Sequence, residues 1–149
     1  MKQYLVLILA LAAVLMSSIG MAAAQGTRLN IVTTTTQVTD LTQILTAGVS
    51  GITITGLMGA GIDPHVYEPT ASDVATLNAA NAVFYSGLFL EGQFGPTLDA
   101  LDARGVLTYA VSSPVQDAGF TFGGFTLSAE LTDVDDPHFW FDPRNWQLA

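Results

Sequence analysis

The sequence contains no cysteine, only two histidines and only four lysine or arginine residues in 149 positions. Without cysteine, the chain has no disulfide framework, no thiolate nucleophile and no thiolate metal ligand. Its 13 acidic residues give a formal net charge of −9, which disfavours binding to nucleic acid or to an anionic membrane surface. A cation is the ligand that best matches this charge.

Charged residues are also missing from a long stretch near the N terminus. Residues 4–16 are uncharged and follow Lys2, and Ala22-Ala23-Ala24 has the small-residue pattern of a cleavage site. We interpret residues 1–24 as a secretory signal peptide that is cleaved before Gln25. The alternative is an uncleaved membrane anchor, for which the apolar core is short. We therefore predict a secreted protein, periplasmic or extracellular, and not a lipoprotein because no cysteine can carry the lipid.

The rest of the chain alternates between strand-like and helix-like patterns. We predict an α/β fold in which a four-stranded, mainly parallel sheet is covered by helices. The capping-box pattern Thr70-Ala71-Ser72-Asp73 is typical of a helix start. Strands are predicted at 29–35, 52–55, 82–85 and 106–111, and helices from Asp40 to about Gly48, from Thr70 to about Ala80, and at 97–103.

Two further patterns occur in the last thirty or so residues. Apolar and polar residues alternate around Gly123-Gly124 at 120–127, which predicts a small hairpin. Asp142 is a good helix N-cap and Pro143 a good first helical residue. We predict that residues 25–142 form one α/β lobe and that residues 143–149 are the truncated start of a longer helix.

The two histidines complete the same tripeptide, Asp63-Pro64-His65 and Asp136-Pro137-His138. Proline fixes its own backbone angle φ and lacks an amide hydrogen, so each histidine is expected on a stiff, non-helical segment. The first of these segments follows a predicted strand, at the sheet edge where parallel α/β proteins bind ligands. The repeated context favours His65 and His138 as ligands of one metal ion.

Acidic and aromatic residues surround both histidines. A metal-binding imidazole is usually oriented by a hydrogen bond from its second nitrogen to a carboxylate or carbonyl group. Two histidines are only half of a zinc site, because zinc normally takes four ligands. The candidates for orienting the imidazoles are Asp63, Glu68, Asp136 and Asp142, and those for excluding water are Tyr67, Phe139, Trp140 and Phe141.

Residues 63–73 and 136–142 closely resemble the two signature segments of the zinc- and manganese-binding substrate-binding proteins of bacterial ABC importers. The resemblance implies two α/β lobes joined by a long helix, with a metal ion held between the lobes and passed to a membrane permease. His65 and His138 match the two ligands that this family takes from its first lobe. The family's other ligands come from a second lobe, which these 149 residues do not contain.

The resemblance leaves the metal open between zinc and manganese. Zinc-binding members often carry a histidine-rich acidic loop before the second signature segment, whereas residues 112–135 contain acids but no histidine. This favours manganese, or a zinc protein without that loop. The implied ligand is therefore a zinc or manganese ion, and the implied partner is an ABC transporter permease.

Other classes of function remain as alternatives. A metal-dependent hydrolase could use Asp63 or Asp136 as a base, but no hydrolase helix motif is present, and Gly56 to Gly61 has the wrong spacing for a phosphate-binding loop. We therefore do not expect an enzyme. A non-catalytic surface or adhesion domain, an inactive truncated fragment, and two copies associated through a shared metal ion are the other hypotheses.

Overall fold

A computed structural model describes residues 28–126 and 128–149, so the predicted signal peptide at 1–24 lies outside the described residues. The sheet has four strands in the order β2-β1-β3-β4, and each neighbouring pair is parallel. In the middle of the sheet, Ile31 is in register with Ile54 on one side and Ala82 on the other. The strands are β1 (Leu29–Thr33), β2 (Ile52–Gly56), β3 (Ala82–Tyr85) and β4 (Leu107–Ala110). The predicted four-stranded parallel sheet is confirmed.

Helices follow the strands along the chain and pack on both faces of the sheet. They are α1 (Thr36–Leu45), α2 (Ala71–Asn78), α3 (Gly95–Asp102), α4 (Ser113–Asp117) and α5 (Pro143–Trp146), with 3₁₀ turns at Gly92–Phe94 and Phe139–Phe141. Successive residues of a strand point to opposite faces, so Val83 and Phe84 enter different clusters of apolar side chains. None of the helices in the described ranges is long and apolar enough to cross a membrane.

The first cluster joins the sheet to α2 and α3. Leu77 of α2 and Phe94, just before α3, are fully buried against Val83. The second cluster joins the sheet to α1, α4 and the C-terminal segment through Val38 and Val115. The segment that carries His138 is thus anchored by packing on one face of the sheet.

Two helices differ from the prediction. The first helix begins at Thr36 rather than Asp40, because the hydroxyl of Thr35 accepts a hydrogen bond from the amide of Val38 at 3.4 Å and caps the helix. The β-branched run that predicted a strand to Thr35 therefore ends its strand at Thr33. The short α4 was not predicted.

The predicted hairpin at 120–127 is wrong for the residues that the structure describes there. Phe125 instead forms an isolated antiparallel bridge with Val134, and Phe122 accepts a hydrogen bond from the amide of Asp136 at 2.7 Å. The segment therefore pairs with the residues that precede His138, not with itself. Asp135 holds this arrangement, since it accepts hydrogen bonds from Thr121 at 2.7 Å and from Gln116 at 3.0 Å.

Candidate metal centre

The structure brings the two histidines together. Their ring centroids lie 5.3 Å apart, with the ring planes tilted by 36°. His65 belongs to the loop that follows β2, and His138 immediately precedes the 3₁₀ turn Phe139–Phe141. Two imidazoles at this separation can bind one metal ion.

Both Asp-Pro-His segments form the same turn. Asp63 Oδ1 accepts hydrogen bonds from the backbone amide of His65 at 3.0 Å and from its Nδ1 at 2.9 Å. Asp136 Oδ1 does the same for His138, at 2.9 Å and 2.7 Å. Because an ionised carboxylate can only accept, Nδ1 of each ring carries a proton and Nε2 keeps the lone pair that a metal needs.

The same hydrogen bonds keep both carboxyl groups ionised. The side-chain hydrogen bond from His65 is the main cause that lowers the pKa of Asp63 below its ordinary value. For Asp136, the backbone hydrogen bond from His138 is the main cause that lowers the pKa. A negative charge beside each imidazole raises its basicity as a ligand and neutralises part of the charge of a bound cation.

The site is accessible from solvent but has an aromatic border. The side chains of His65 and His138 are 43% and 39% exposed. The ring of Trp140 lies 5.2 Å from that of His138, and the ring of Phe141 lies 6.3 Å from it. Both aromatic rings lie on the His138 side of the site.

The remaining candidates are placed elsewhere. Asp142 pairs with Arg144, whose guanidinium lowers the pKa of Asp142 to about 2, and it caps α5. Glu68 is exposed and makes no hydrogen bond to either histidine among the described residues. Tyr67 stacks on Phe94, with ring centroids 5.9 Å apart, and lies against the first cluster. Of the four acidic candidates, only Asp63 and Asp136 form hydrogen bonds with a histidine in the described part of the chain.

A cavity of about 390 Å³ adjoins both histidines. Its walls include Thr35, which caps α1, and Gln37 in the first turn of α1, together with Met58 and Leu90. None of these residues was predicted to belong to the site. The sequence feature that could have indicated Thr35 and Gln37 is their position just after the first strand. Ligands of parallel α/β sheets lie beyond the carboxyl ends of the strands.

The described residues do not supply a complete metal site. Within 28–126 and 128–149, no group of three or more histidine, cysteine, aspartate or glutamate side chains is arranged to hold a metal ion. A four-coordinate zinc ion on His65 and His138 would need two more ligands. Those ligands would be water molecules or groups from outside the described residues.

The sequence and the fold are similar to those of known metal-binding proteins. The family described as zinc-uptake complex component A periplasmic matches residues 31–149. The chain is 36% identical over 129 residues to the zinc-binding protein TroA of Treponema pallidum (strain Nichols), covering 86% of this chain and 38% of TroA. The solved structure of that periplasmic zinc-binding protein matches with a TM-score of 0.67 and 34% identity, covering 81% of this chain and 40% of the solved chain.

Two further relatives are named for other metals. The manganese-binding lipoprotein MntA of Bacillus subtilis (strain 168) is 31% identical over 132 residues, covering 89% of this chain and 40% of MntA. The iron ABC transporter substrate-binding lipoprotein MtsA of Streptococcus pyogenes serotype M1 is 31% identical over 134 residues, covering 87% of this chain and 41% of MtsA. The chain thus spans about two fifths of the length of these relatives.

These names correct one prediction. The protein was predicted not to be a lipoprotein, yet MntA and MtsA are both named lipoproteins. A chain that spans about two fifths of its relatives does not define how the whole protein is anchored. The lack of cysteine in these 149 residues is therefore no basis for excluding that class.

Proposed function

The chain belongs to the family of zinc-uptake complex component A periplasmic proteins, and from this premise we propose that it binds a divalent transition metal, zinc or manganese, for delivery to an ABC import permease. The observation that carries the proposal is the pair of histidines with ring centroids 5.3 Å apart. The residues from 25 to 142 would form the metal-binding lobe.

The chemistry of the pair supports this proposal. Each Nδ1 is held by an aspartate, so both Nε2 atoms are available in one tautomer without further rearrangement. Imidazole nitrogen suits zinc, whereas manganese prefers more oxygen ligands, which the described residues do not add. Relatives named for zinc, manganese and iron support a divalent metal in general, and MtsA, named for an ABC transporter, supports import as its destination.

The proposed role is binding without catalysis. In a metal-dependent hydrolase, Asp63 or Asp136 would have to accept a proton from a metal-bound water. Oδ1 of each carboxylate instead accepts hydrogen bonds from the backbone amide and Nδ1 of its own histidine. The hydrogen-bonding role of both carboxylates is thus to orient the rings, which supports binding rather than catalysis.

The test is a chelator-competition titration of zinc and of manganese into the full chain. Wild type is compared with the double variant His65→Ala/His138→Ala and with Glu68→Gln. Glu68 is an exposed acid close after His65 that makes no hydrogen bond to either histidine among the residues the structure describes. We expect wild type and Glu68→Gln to bind zinc equally well, and the double variant to bind it at least about tenfold more weakly. A wild-type dissociation constant of about 1 μM or lower, about −8 kcal/mol, would mean that further ligands complete the site. Equal affinity in the double variant would refute the assignment of the histidines as ligands.

The same proteins can be tested for self-association through a shared metal ion. Two copies that each offer two histidines would complete a four-coordinate zinc site. We propose that sedimentation velocity would then show a dimer that forms with zinc and dissociates on adding chelator. A sedimentation coefficient that does not depend on zinc would contradict metal bridging between copies. The titration alone would then test whether the chain binds metal.

A further inference from the structure

Glu91 is a buried carboxylate that the metal chemistry described above does not use. Its residue is 4% exposed, in the segment between β3 and α3. Oε1 accepts hydrogen bonds from the Thr34 hydroxyl at 2.6 Å and from the Ser86 amide at 2.7 Å, and Oε2 accepts one from the Gly87 amide at 3.2 Å. No lysine or arginine pairs with it in the described part of the chain. Such a group is costly to bury, so its retention calls for a reason.

Thr34, the side-chain partner of Glu91, lies where several segments meet. It follows β1, its amide donates to the carbonyl of Phe84 in β3 at 3.2 Å, and its carbonyl accepts from the amide of Met58 at 3.0 Å. Met58 lies near the start of the loop that leads from β2 to His65. Through Thr34, Ser86 and Gly87, Glu91 therefore fixes the ends of β1 and β3 and the start of the His65 loop relative to one another.

The turn between Gly87 and Glu91 is strained. Gly87, Leu88 and Phe89 have φ values of +91°, +53° and +61°, which for Leu88 and Phe89 are unfavourable. Such a turn persists only where its surroundings hold it. Here Glu91 binds the amide of Gly87 at the start, and the fully buried Leu90, whose amide donates to the carbonyl of Gly87 at 3.1 Å, closes the end.

Leu90 connects this turn to the metal centre. It lines the cavity that also contains His65, His138 and Met58. The strained turn fixes the position of Leu90, and Glu91 fixes that of Met58 through Thr34. Leu90 and Met58 both line the cavity beside the histidines. Strain of this kind concentrates at functional sites.

We propose that Glu91 is a positioning residue of the metal centre, which acts through Thr34 and Leu90 to hold the loop of His65 in register with His138. Glu91 itself touches neither histidine. The proposal rests on the proposed function for its metal readout, but the arrangement of the two rings is measurable without any metal.

The test compares two buried threonines. Thr34→Val removes the hydroxyl that donates to Glu91, whereas Thr42→Val removes a buried hydroxyl that donates to the carbonyl of Val38 at 2.7 Å inside α1. Both replacements keep the shape of the side chain, and circular dichroism verifies that each variant is folded. Glu91→Gln is the second test variant, because an amide leaves either Ser86 or Gly87 without an acceptor.

The first readout is the NMR spectrum of the imidazole protons in the metal-free full chain, in which two histidines give two sets of signals. Because the rings of His138, Trp140 and His65 lie close together, small changes in their arrangement change the ring-current shifts. We expect Thr34→Val and Glu91→Gln to shift the His65 signals more than Thr42→Val does. The second readout is the zinc dissociation constant, which we expect to rise about tenfold in the two test variants and less than about twofold in the control.

Histidine signals and zinc affinities that match those of Thr42→Val in both test variants would overturn the proposal. If wild type fails to bind zinc, or binds it as well without His65 and His138, the proposed function fails, and the metal-free spectra still decide the role of Glu91. If Glu91→Gln does not fold, Thr34→Val alone decides it.

Discussion

The imidazole rings of His65 and His138 lie 5.3 Å apart, although their loops come from widely separated parts of the sequence. Each ring is held by the aspartate two residues before it, through the same pair of hydrogen bonds. The repeated tripeptide therefore forms the same local structure twice, in which proline shapes the turn and aspartate fixes the tautomer of the histidine. A metal ion would meet two ligands that are oriented before it arrives.

Replacing the orienting carboxylates should weaken metal binding while leaving both histidines in place. In Asp63→Asn and Asp136→Asn the charge is lost, so the rings are less basic and less well oriented. We expect the zinc dissociation constant to rise by roughly 10- to 100-fold. The effect should be larger for Asp136, whose side chain is 37% exposed, than for Asp63, which is 61% exposed.

The matched control for these two variants is Glu68→Gln, which removes the same charge from an exposed residue near His65. Chelator competition measures all three affinities. A rise in Glu68→Gln as large as that in Asp63→Asn would mean that overall charge, rather than orientation of the ring, determines the affinity.

Local patterns were enough to predict the four strands, the helices α1 to α3 and the pairing of the two histidines. The β-branched and apolar runs at 52–55 and 82–85 formed strands, and Thr70 with Asp73 formed the expected capping box. These features depend on interactions within a few residues, which a sequence displays directly. The recurrence of Asp-Pro-His suggested one shared site because the chain has no other histidine.

Features that depend on distant partners were missed. The alternating residues around Gly123-Gly124 resemble a hairpin, but the amide and carbonyl of Phe125 pair with Val134. Glu91 gave no local signal either, because its hydroxyl partner Thr34 is 57 positions away. One local feature was missed as well, because Thr35 caps α1 earlier than the spacing of apolar residues indicated.

The capping box of α2 gives a prediction for stability. Asp73 Oδ2 accepts hydrogen bonds from the amide and hydroxyl of Thr70 and from the hydroxyl of Tyr67, at 2.8, 2.7 and 2.9 Å. We expect Asp73→Asn to lower the free energy of unfolding at neutral pH by about 1 kcal/mol, as for other helix caps. Urea denaturation measures the loss, and Asp40→Asn, at an exposed position within α1, is the control.

The loss in Asp73→Asn should depend on pH. Partial burial opposes ionisation, but the hydrogen bonds from Thr70 and Tyr67 outweigh it and lower the pKa of Asp73 below its ordinary value. A carboxyl group with a lowered pKa stabilises the folded state above its unfolded pKa, and this stabilisation is lost as the pH falls through the folded pKa. The difference between wild type and Asp73→Asn should shrink on acidification, and a constant difference would contradict the prediction.

The contribution of Glu91 to folding stability should have the opposite pH dependence to that of Asp73. Burial raises the pKa of Glu91 despite the hydrogen bonds it accepts, and Tyr85, Asp99 and His65 line the same groove. Because the folded protein then binds the proton more tightly than the unfolded chain, this group favours folding most below its unfolded pKa. Its contribution falls as the pH rises through the folded pKa.

Glu91→Gln should remove this dependence. The stability of wild type relative to Glu91→Gln should therefore increase as the pH is lowered from neutral, because protonation relieves the cost of the buried charge. Urea denaturation at a series of pH values measures the difference. A wild-type advantage that decreases on acidification would show that Glu91 is stabilised as a charged group by its hydrogen bonds.

Alanine substitutions at two glycines with similar backbone angles distinguish the cost of backbone strain from the cost of a steric clash. Gly87 and Gly105 have φ values of +91° and +80°, so alanine is strained at both. A Cβ atom at Gly105 would meet nothing within 4 Å, whereas one at Gly87 would clash with the Ser112 hydroxyl and lie 2.9 Å from Cβ of Ala110. Alanine thus causes backbone strain at both positions but a steric clash only at Gly87.

We expect Gly105→Ala to cost about 1 kcal/mol of stability from backbone strain alone. Gly87→Ala should cost roughly 1–3 kcal/mol more, because Ser112 is itself buried and has little room to move. The additional clash should also displace the turn that Glu91 holds, so Gly87→Ala should weaken zinc binding. Gly105→Ala, which lies beyond the C-terminal end of α3, should not. Equal losses of stability in urea denaturation would mean that the backbone near Gly87 relaxes away from Ser112, and the turn would then be less rigid than its hydrogen bonds to Glu91 imply.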